Sequence, residues 1–355
     1  MDGQMTFDGF RDIQASTDWK WCYADYPKEK NGLKVFSCFS CGGGSTMGYK
    51  LAGCDVIGNC EIDEKMNDVY VANHNPKYNF CMDIRKFNKL NDLPDELYNL
   101  DILDGSPPCT TFSIAGDREE TWGKKKKFRE GQAEQTLDDL SFVFIETVNK
   151  LKPKCVIMEN VEGIMLGEAW SYVQQIYKDF NDAGYDVKHY LLKAENMGVP
   201  QARHRVFFIA FRKDLNFDYD KLDLFFDYEK VLFKQAKSND YQKPSNITAE
   251  LIKNAIPNKD TSLADVIIRQ GGKRARFNEK IVWDESIAPT IHAHGLYRGN
   301  DISKFTRLDY IHCQSFPEDY KESRQNIAYI CGMSVPPLMI KRIVGRILAT
   351  GVLGG

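Results

Sequence analysis

The sequence predicts an α/β fold: a doubly wound sheet with helices on both faces, joined to a smaller irregular domain. Three observations carry this. Between residues 34 and 212, short apolar runs alternate with longer stretches of helical periodicity, the pattern of a parallel sheet covered on both faces. The first run enters a glycine-rich turn, "FSCGGGSTMGYKLAG", Phe39 to Gly53. After Phe211 the alternation stops and resumes only near the end of the chain.

The elements follow in order. "LKVFSCF", "DVIGNCEID", "LDILDGS", "KCVIMENV" and "RVFFIAF" read as strands. Apolar residues spaced by three and four predict a helix from Leu137 to Leu151, which Lys152-Pro153 ends. "EAWSYVQQIYKDFNDAG" predicts a second. The stretch "KDLNFDYDKLDLFFDYEKVLFKQAKSNDYQKPSN" is aromatic, charged and aperiodic, and marks a second domain. "PPLMIKRIVGRILAT" predicts a final apolar-faced helix, near 336 to 349, opened by prolines and packed beside the first glycine turn. The chain divides accordingly into an extension (1–33), the sheet domain (34–212), the second domain with its hinge (213–327) and a C-terminal segment (328–355) that returns to the sheet.

Composition narrows the class. The chain has 355 residues, 43% hydrophobic and 27% charged, as in soluble globular proteins, and no unbroken apolar run approaches the ~20 residues that span a bilayer. "MDGQMTFDGFRDIQ" lacks the basic-then-apolar order of a secretory signal. These features predict a reducing, cytoplasmic setting, in which the ten cysteines are free thiols. A net charge of -3 gives no global attraction to a polyanion, so nucleic-acid binding would need local basic clusters. Two stretches supply them: "KKKKFRE", with Lys124 to Lys127, and "RQGGKRARFNEK", Arg269 to Lys280.

Several residues fall where chemistry is done. Glycines at a strand-to-helix turn let backbone approach a ligand and aim helix amides at it. Glu61, at the end of the next strand, stands where an acid accepts ribose hydroxyls in adenosine-type sites. Turn and acid together suggest a nucleoside-bearing cofactor and do not separate a nicotinamide from S-adenosylmethionine. The third strand runs into "GSPPCTTFS", placing Cys109 beyond a strand end, where open α/β sheets bind ligands. Glu159 ends the strand "KCVIMENV", and "GVPQARHRVFFIAF" brings Gln201, Arg203 and Arg205 into the next, with both arginines on one face by period two. Each has a plain structural reading as well: a ligand-free turn, an inert thiol, a capping glutamate, surface arginines. Cys38 and Cys41 form a Cys-x-x-Cys pair with no second pair at zinc spacing, so no metal is expected. His292, His294 and His312 read as local hydrogen-bonding groups.

In this order the motifs resemble the cytosine-5 DNA methyltransferase family. The resemblance covers about 34–212 and 285–350, and takes in "SLADVI", "APTI", "FTRLDYIHCQSFPEDY" and "CGMSVPPLMIKRI". It implies a Rossmann-like class I methyltransferase sheet, S-adenosylmethionine as methyl donor, and a target-recognition domain in the irregular segment. By position, Phe39 would stack on adenine, Gly43 and Gly44 would shape the methionine end, Glu61 would bind ribose, and Asp83 and Ile84 would meet the adenine edge. Ile62, Ser106, Pro107, Met333 and Ser334 would complete that pocket. Cys109 would be the nucleophile, Glu159 and Arg205 would hold the base, and Gln201 and Arg203 would support them. Ser113, Lys124, Lys127, Lys273, Arg274 and Arg276 would meet DNA.

The chemistry explains these residue types. Carbon 5 of cytosine is a poor nucleophile until a thiolate adds at carbon 6 and makes an enamine. An acid at N3 and an arginine at O2 stabilise the developing charge. The base must leave the duplex to be reached. The implied partners are double-stranded DNA, met by a monomer in a prokaryotic or phage-infected cell, and a restriction endonuclease of the same site. Three positions depart from the family pattern: Cys41 for a glycine, Thr110 for the usual glutamine, and Met333 for an asparagine. Competing readings are an RNA cytosine-5 methyltransferase, a catalytically silent DNA-binding homologue and a nicotinamide oxidoreductase; the last leaves the Pro-Pro-Cys, Glu-Asn-Val and Gln-x-Arg-x-Arg series without a role.

Overall fold

A computed structural model describes residues 17–108, 140–276, 279–292, 295–323 and 325–354. The chain runs β1 (Lys34–Cys38), α1 (Gly44–Leu51), β2 (Asp55–Glu61), α2 (Glu64–His74), β3 (Tyr78–Cys81), α3 (Ile84–Phe87), β4 (Ile102–Gly105), α4 (Leu140–Leu151), β5 (Cys155–Val161), α5 (Trp170–Asp182), β6 (Tyr185–Lys193), β7 (Gln201–Ala202) and β8 (His204–Arg212). It continues through α6 (Phe233–Ala236), α7 (Asn246–Lys253), α8 (Leu263–Arg269), β9 (Lys280–Val282), β10 (Ala288–Pro289), β11 (Leu296–Arg298), β12 (Ser303–Lys304), α9 (Arg307–Cys313), α10 (Ile327–Met333) and α11 (Pro337–Ala349).

Seven strands form the main sheet in the order β3-β2-β1-β4-β5-β8-β6. The expected parallel sheet is in fact mixed, because β8 lies antiparallel to both β5 and β6. Period two in the buried strands divides the core into two layers. Phe36, Leu103, Val156, Met158 and Phe208 face α4 and α5, while Val35, Ile102, Ile157, Phe207 and Ile209 face α1 and α11. β3 and β6 escaped the sequence reading. As the two edge strands their burial is broken, so neither shows the continuous apolar run of the central five.

The final helix returns beside α1 as expected. A Cβ on Gly48 would fall 2.4 Å from the Pro337 carbonyl oxygen and 2.5 Å from Ile340 Cβ, so the two helices meet backbone to backbone. The stretch Ile327–Ala349 has the length and apolarity of a membrane span. Its α11 side chains Leu338, Ile340, Ile343, Val344 and Ile347 fill the core instead.

The domain limits differ from the sequence expectation. Leu222, Leu224, Phe226 and Val231 pack into the sheet's second layer, so this part of the aperiodic segment belongs to the sheet domain. A separate small core of Ile252, Leu263, Val266, Ile281, Trp283 and Tyr297 marks the irregular unit, between about α6 and β12. Residues 17–33 are likewise part of the fold. Trp21 is 6% exposed and gives its indole N–H to the Ser315 carbonyl at 2.9 Å, and the Tyr23 hydroxyl donates to Asn73 Oδ1 at 2.8 Å. Removing a buried tryptophan leaves a cavity and an unpaired carbonyl, so Trp21→Ala is expected to lower stability by about 3–5 kcal/mol, measured by urea unfolding.

Candidate active site

The turn between β1 and α1 sits over the carboxyl edge of the sheet with three left-handed residues: Phe39 (φ 54°), Cys41 (φ 47°) and Gly43 (φ 83°). For the two with a Cβ this conformation costs on the order of 1–3 kcal/mol each and needs support from outside the turn. Part of the support is Glu61. Its Oε2 accepts the Cys41 amide at 2.8 Å and its Oε1 the Asp63 amide at 2.9 Å. Burial raises the Glu61 carboxyl while these amides pull it back. Each oxygen retains a lone pair for another donor.

Below the turn opens a cleft. Of the residues expected there, Phe39, Glu61, Ile62, Asp83, Ile84, Ser106 and Met333 line it. Cys41, Cys60, Asp63, Met66, Met82, Pro108, Leu140 and Tyr329 line it too. Among these, Cys60 and Asp63 flank Glu61 in sequence and were within reach of the motif reading, whereas Met66 and Tyr329 sit on helices without any motif. Walls mostly apolar, with a few carboxylates, suit a nucleoside ligand. Burial pushes the Cys41 thiol up to about 12, which keeps it protonated and inert.

Gly43, Gly44, Pro107 and Ser334 do not line the cleft; the two glycines shape it from behind. A Cβ on Gly44 would fall 2.1 Å from the Val335 carbonyl oxygen and 2.9 Å from Ser334 Cβ. One on Gly43 would fall 1.9 Å from His74 Nε2. The His74 ring lies edge-on to Tyr23 and Tyr70, and burial holds it neutral, well below the usual histidine range.

At the same sheet edge, Glu159 of β5 and Arg205 of β8 pair across adjacent strands, Nε to Oε1 2.8 Å, with side chains 12% and 15% exposed. Arg205 Nη1 also donates to the His204 carbonyl at 2.7 Å. Arg203 is buried, pushed down by burial and by the neighbouring Arg205, and its Nη1 donates to the Gly332 carbonyl at 3.1 Å. That bond joins the arginine strand to the residue before Met333, on the cleft wall. Gln201 is fully buried: its Nε2 donates to the Cys313 carbonyl and to Gln314 Oε1, and its Oε1 accepts the Ile291 amide. Gln201 thus ties β7 to the chain beyond β10.

Cys109, Thr110, Ser113, Lys124, Lys127 and His294 lie outside the described residues. Lys273 and Arg274 are exposed on the irregular unit. The Arg276 guanidinium is held by Glu279 and by the Thr248 hydroxyl at 2.9 Å, which fixes the loop from within. His312 meets the Ala236 carbonyl and Glu318 through its two ring nitrogens, the local role expected of it.

Sheet order, glycine turn and cleft define a Rossmann-like methyltransferase. Residues 33–349 match the C-5 cytosine-specific DNA methylase family, and the chain belongs to it. It is 28% identical to the Type II methyltransferase M.NgoPII of Neisseria gonorrhoeae, over 91% of this chain and 98% of that protein. To M.FnuDI of Fusobacterium nucleatum it is 32% identical, over 66% of this chain and 61% of that one. Among solved structures it resembles a DNMT2 variant of Spodoptera frugiperda, with a TM-score of 0.63 and 15% identity over 89% of this chain and 100% of the other. The protein is a DNA cytosine-5 methyltransferase.

The glycine geometry generates a test. Gly43→Ala places a methyl group against His74 and forces a non-glycine residue to φ 83°. We expect a loss of about 1–3 kcal/mol in stability on thermal unfolding, together with weaker nucleoside binding in the cleft.

Proposed function

We propose that the protein methylates carbon 5 of a cytosine flipped out of duplex DNA, through a covalent adduct to Cys109. The observation that carries this reading is the Glu159–Arg205 pair, fixed at 2.8 Å at the sheet edge and joined through Arg203 and Gly332 to the wall of the cofactor cleft. Pro108, which lines that cleft, immediately precedes Cys109 in the chain.

The cleft fits S-adenosylmethionine: an apolar slot offers Phe39 for a base, and the remaining lone pairs of Glu61 suit ribose hydroxyls. When bound there, the cofactor supplies an electrophilic methyl group on a sulfonium. The residues of the chain do the rest. The Cys109 thiolate adds to carbon 6 of the cytosine, forming a C–S bond and sending electron density toward N3 and O2. Glu159, as the acid, donates to N3, and Arg205 donates to O2, both where negative charge appears. Arg203, buried beside them, adds positive charge that favours the thiolate. After carbon 5 is methylated, its proton leaves to a base and the C–S bond breaks, restoring the ring and the free thiol.

The target is DNA, as the family and the Type II names of the relatives suggest, and the protein acts as a monomer beside an endonuclease of the same site. Lys273 and Arg274 would meet phosphates or base edges. Duplex DNA carrying 5-fluorocytosine in varied flanks tests the reading, because fluorine at carbon 5 cannot leave as a proton does. With S-adenosylmethionine a covalent protein–DNA adduct is expected, lost in Cys109→Ala and reduced by about two orders of magnitude or more in rate in Glu159→Gln. Trapping on RNA alone would move the protein to the RNA reading; no trapping on either polymer, with cofactor bound, would leave the silent DNA-binding reading.

A further inference from the structure

Asp104 stands third in β4, five residues before Cys109, and is 2% exposed. Three hydroxyl groups converge on its carboxylate. Ser37 Oγ donates to Oδ2 at 2.6 Å, Ser45 Oγ donates to the same oxygen at 2.6 Å, and the Tyr49 hydroxyl donates to Oδ1 at 3.1 Å. Their positions in the chain matter. Ser37 is the β1 partner of Asp104 in the sheet register and precedes the 39–43 turn. Ser45 and Tyr49 lie one helical turn apart on α1 and follow it. One buried carboxylate therefore grips both limbs of the turn whose left-handed Phe39 and Cys41 line the cofactor cleft.

We propose that Asp104 is a positioning residue for the cofactor: its carboxylate, by accepting hydroxyls from β1 and α1 together, holds the turn open around the cleft. This rests on the cleft being the S-adenosylmethionine site. Asp104 does not line the cleft and acts only through the turn. With an ionised Asp104 all three contacts are charge-assisted. A protonated or amide side chain turns one acceptor position into a donor, so one hydroxyl must turn round to accept and the grip loses its charge-assisted strength.

The same burial that makes the grip firm makes it sensitive to pH. Desolvation raises Asp104 to about 6, against the three hydroxyls, which lower it. The ionisable groups facing it are Tyr49 of α1, Cys38 of β1, Tyr70 of α2 and Glu159 of β5; Glu159 is the one carboxylic acid among them. The folded state holds this proton more tightly than the unfolded chain, whose aspartates titrate near ~3.9. The contribution of Asp104 to stability therefore rises as pH falls from about 6 toward the unfolded value. Cofactor affinity moves the opposite way, since the protonated form holds the turn by weaker, neutral hydrogen bonds.

The test measures S-adenosylmethionine binding by equilibrium dialysis between pH 5 and 8, with thermal unfolding alongside. For the wild type, affinity should fall by about tenfold as pH drops through 6, the worth of one charge-assisted hydrogen bond. Asp104→Asn should bind about tenfold more weakly at pH 7.5 and show no such fall, while its melting temperature stays near that of the wild type. Ser45→Ala keeps the carboxylate and removes one limb, and should weaken binding without abolishing the pH dependence. Wild-type affinity and pH dependence in a folded Asp104→Asn sink the proposal. If that variant does not fold, unchanged affinity in both Ser37→Ala and Ser45→Ala sinks it instead. A wild type that binds no cofactor at any pH overturns the assignment of the cleft itself, and the role of Asp104 falls with it.

Discussion

The fold depends on one close approach, that of the segment around Val335–Pro337 onto the first glycine turn and its helix. Gly44 and Gly48 leave space for the carbonyls of Val335 and Pro337 and for the side chains of Ser334 and Ile340, so α11 and the stretch before it press closely against α1. That contact fixes where α1 starts, and hence where the left-handed turn lies. It also brings Met333 to the cofactor cleft and Gly332 within reach of Arg203. Any side chain larger than hydrogen at Gly44 would push the wall and floor of the cleft apart together.

Rigidity on the target side has a different source. Glu159 and Arg205 sit on neighbouring antiparallel strands in the middle of the sheet, where β5 and β8 pair over seven residue positions. Groups on adjacent inner strands are held by the ladder on either side, so the Glu159–Arg205 pair has little freedom to shift. Gln201 and Arg203 extend this by bonding to backbone carbonyls of the later chain. Two segments far apart in sequence thereby move as one.

Much of this was legible in the residues. The five central strands are buried on both faces and read as apolar runs, and glycine turn, Glu61, Glu159 and the arginines lie at their ends. What escaped has physical reasons. β3 and β6 are half-exposed edges, so their patterns are mixed. The direction of β8 leaves no mark in its composition, because a strand buried on both faces reads the same in either sense. The aromatic run after Phe211 looked like a separate domain, yet Leu222, Leu224 and Phe226 cover the sheet without regular structure. The Arg276–Glu279 pair left no sign in the sequence, because the two lie three residues apart in a loop with no periodicity. Asp104 carries no sequence signal; only the folding of β1 and α1 around it shows three hydroxyls aimed at it.

The two ends of the irregular unit are held together, and its β10 touches β7 on the way. Phe233, just before the excursion, stacks on Phe305, just after it, with ring centroids 4.9 Å apart and planes 9° from parallel. The excursion is therefore a closed loop in the polymer sense, anchored by an aromatic clasp, and the entropy of closing such a loop grows only as the logarithm of its length. Doubling the residues inside it would cost about 0.6 kcal/mol. The part of the excursion with its own small core, around Ile252, Leu263 and Trp283, can therefore change in length at little cost, while Ala288–Ile291 stay tied to β7.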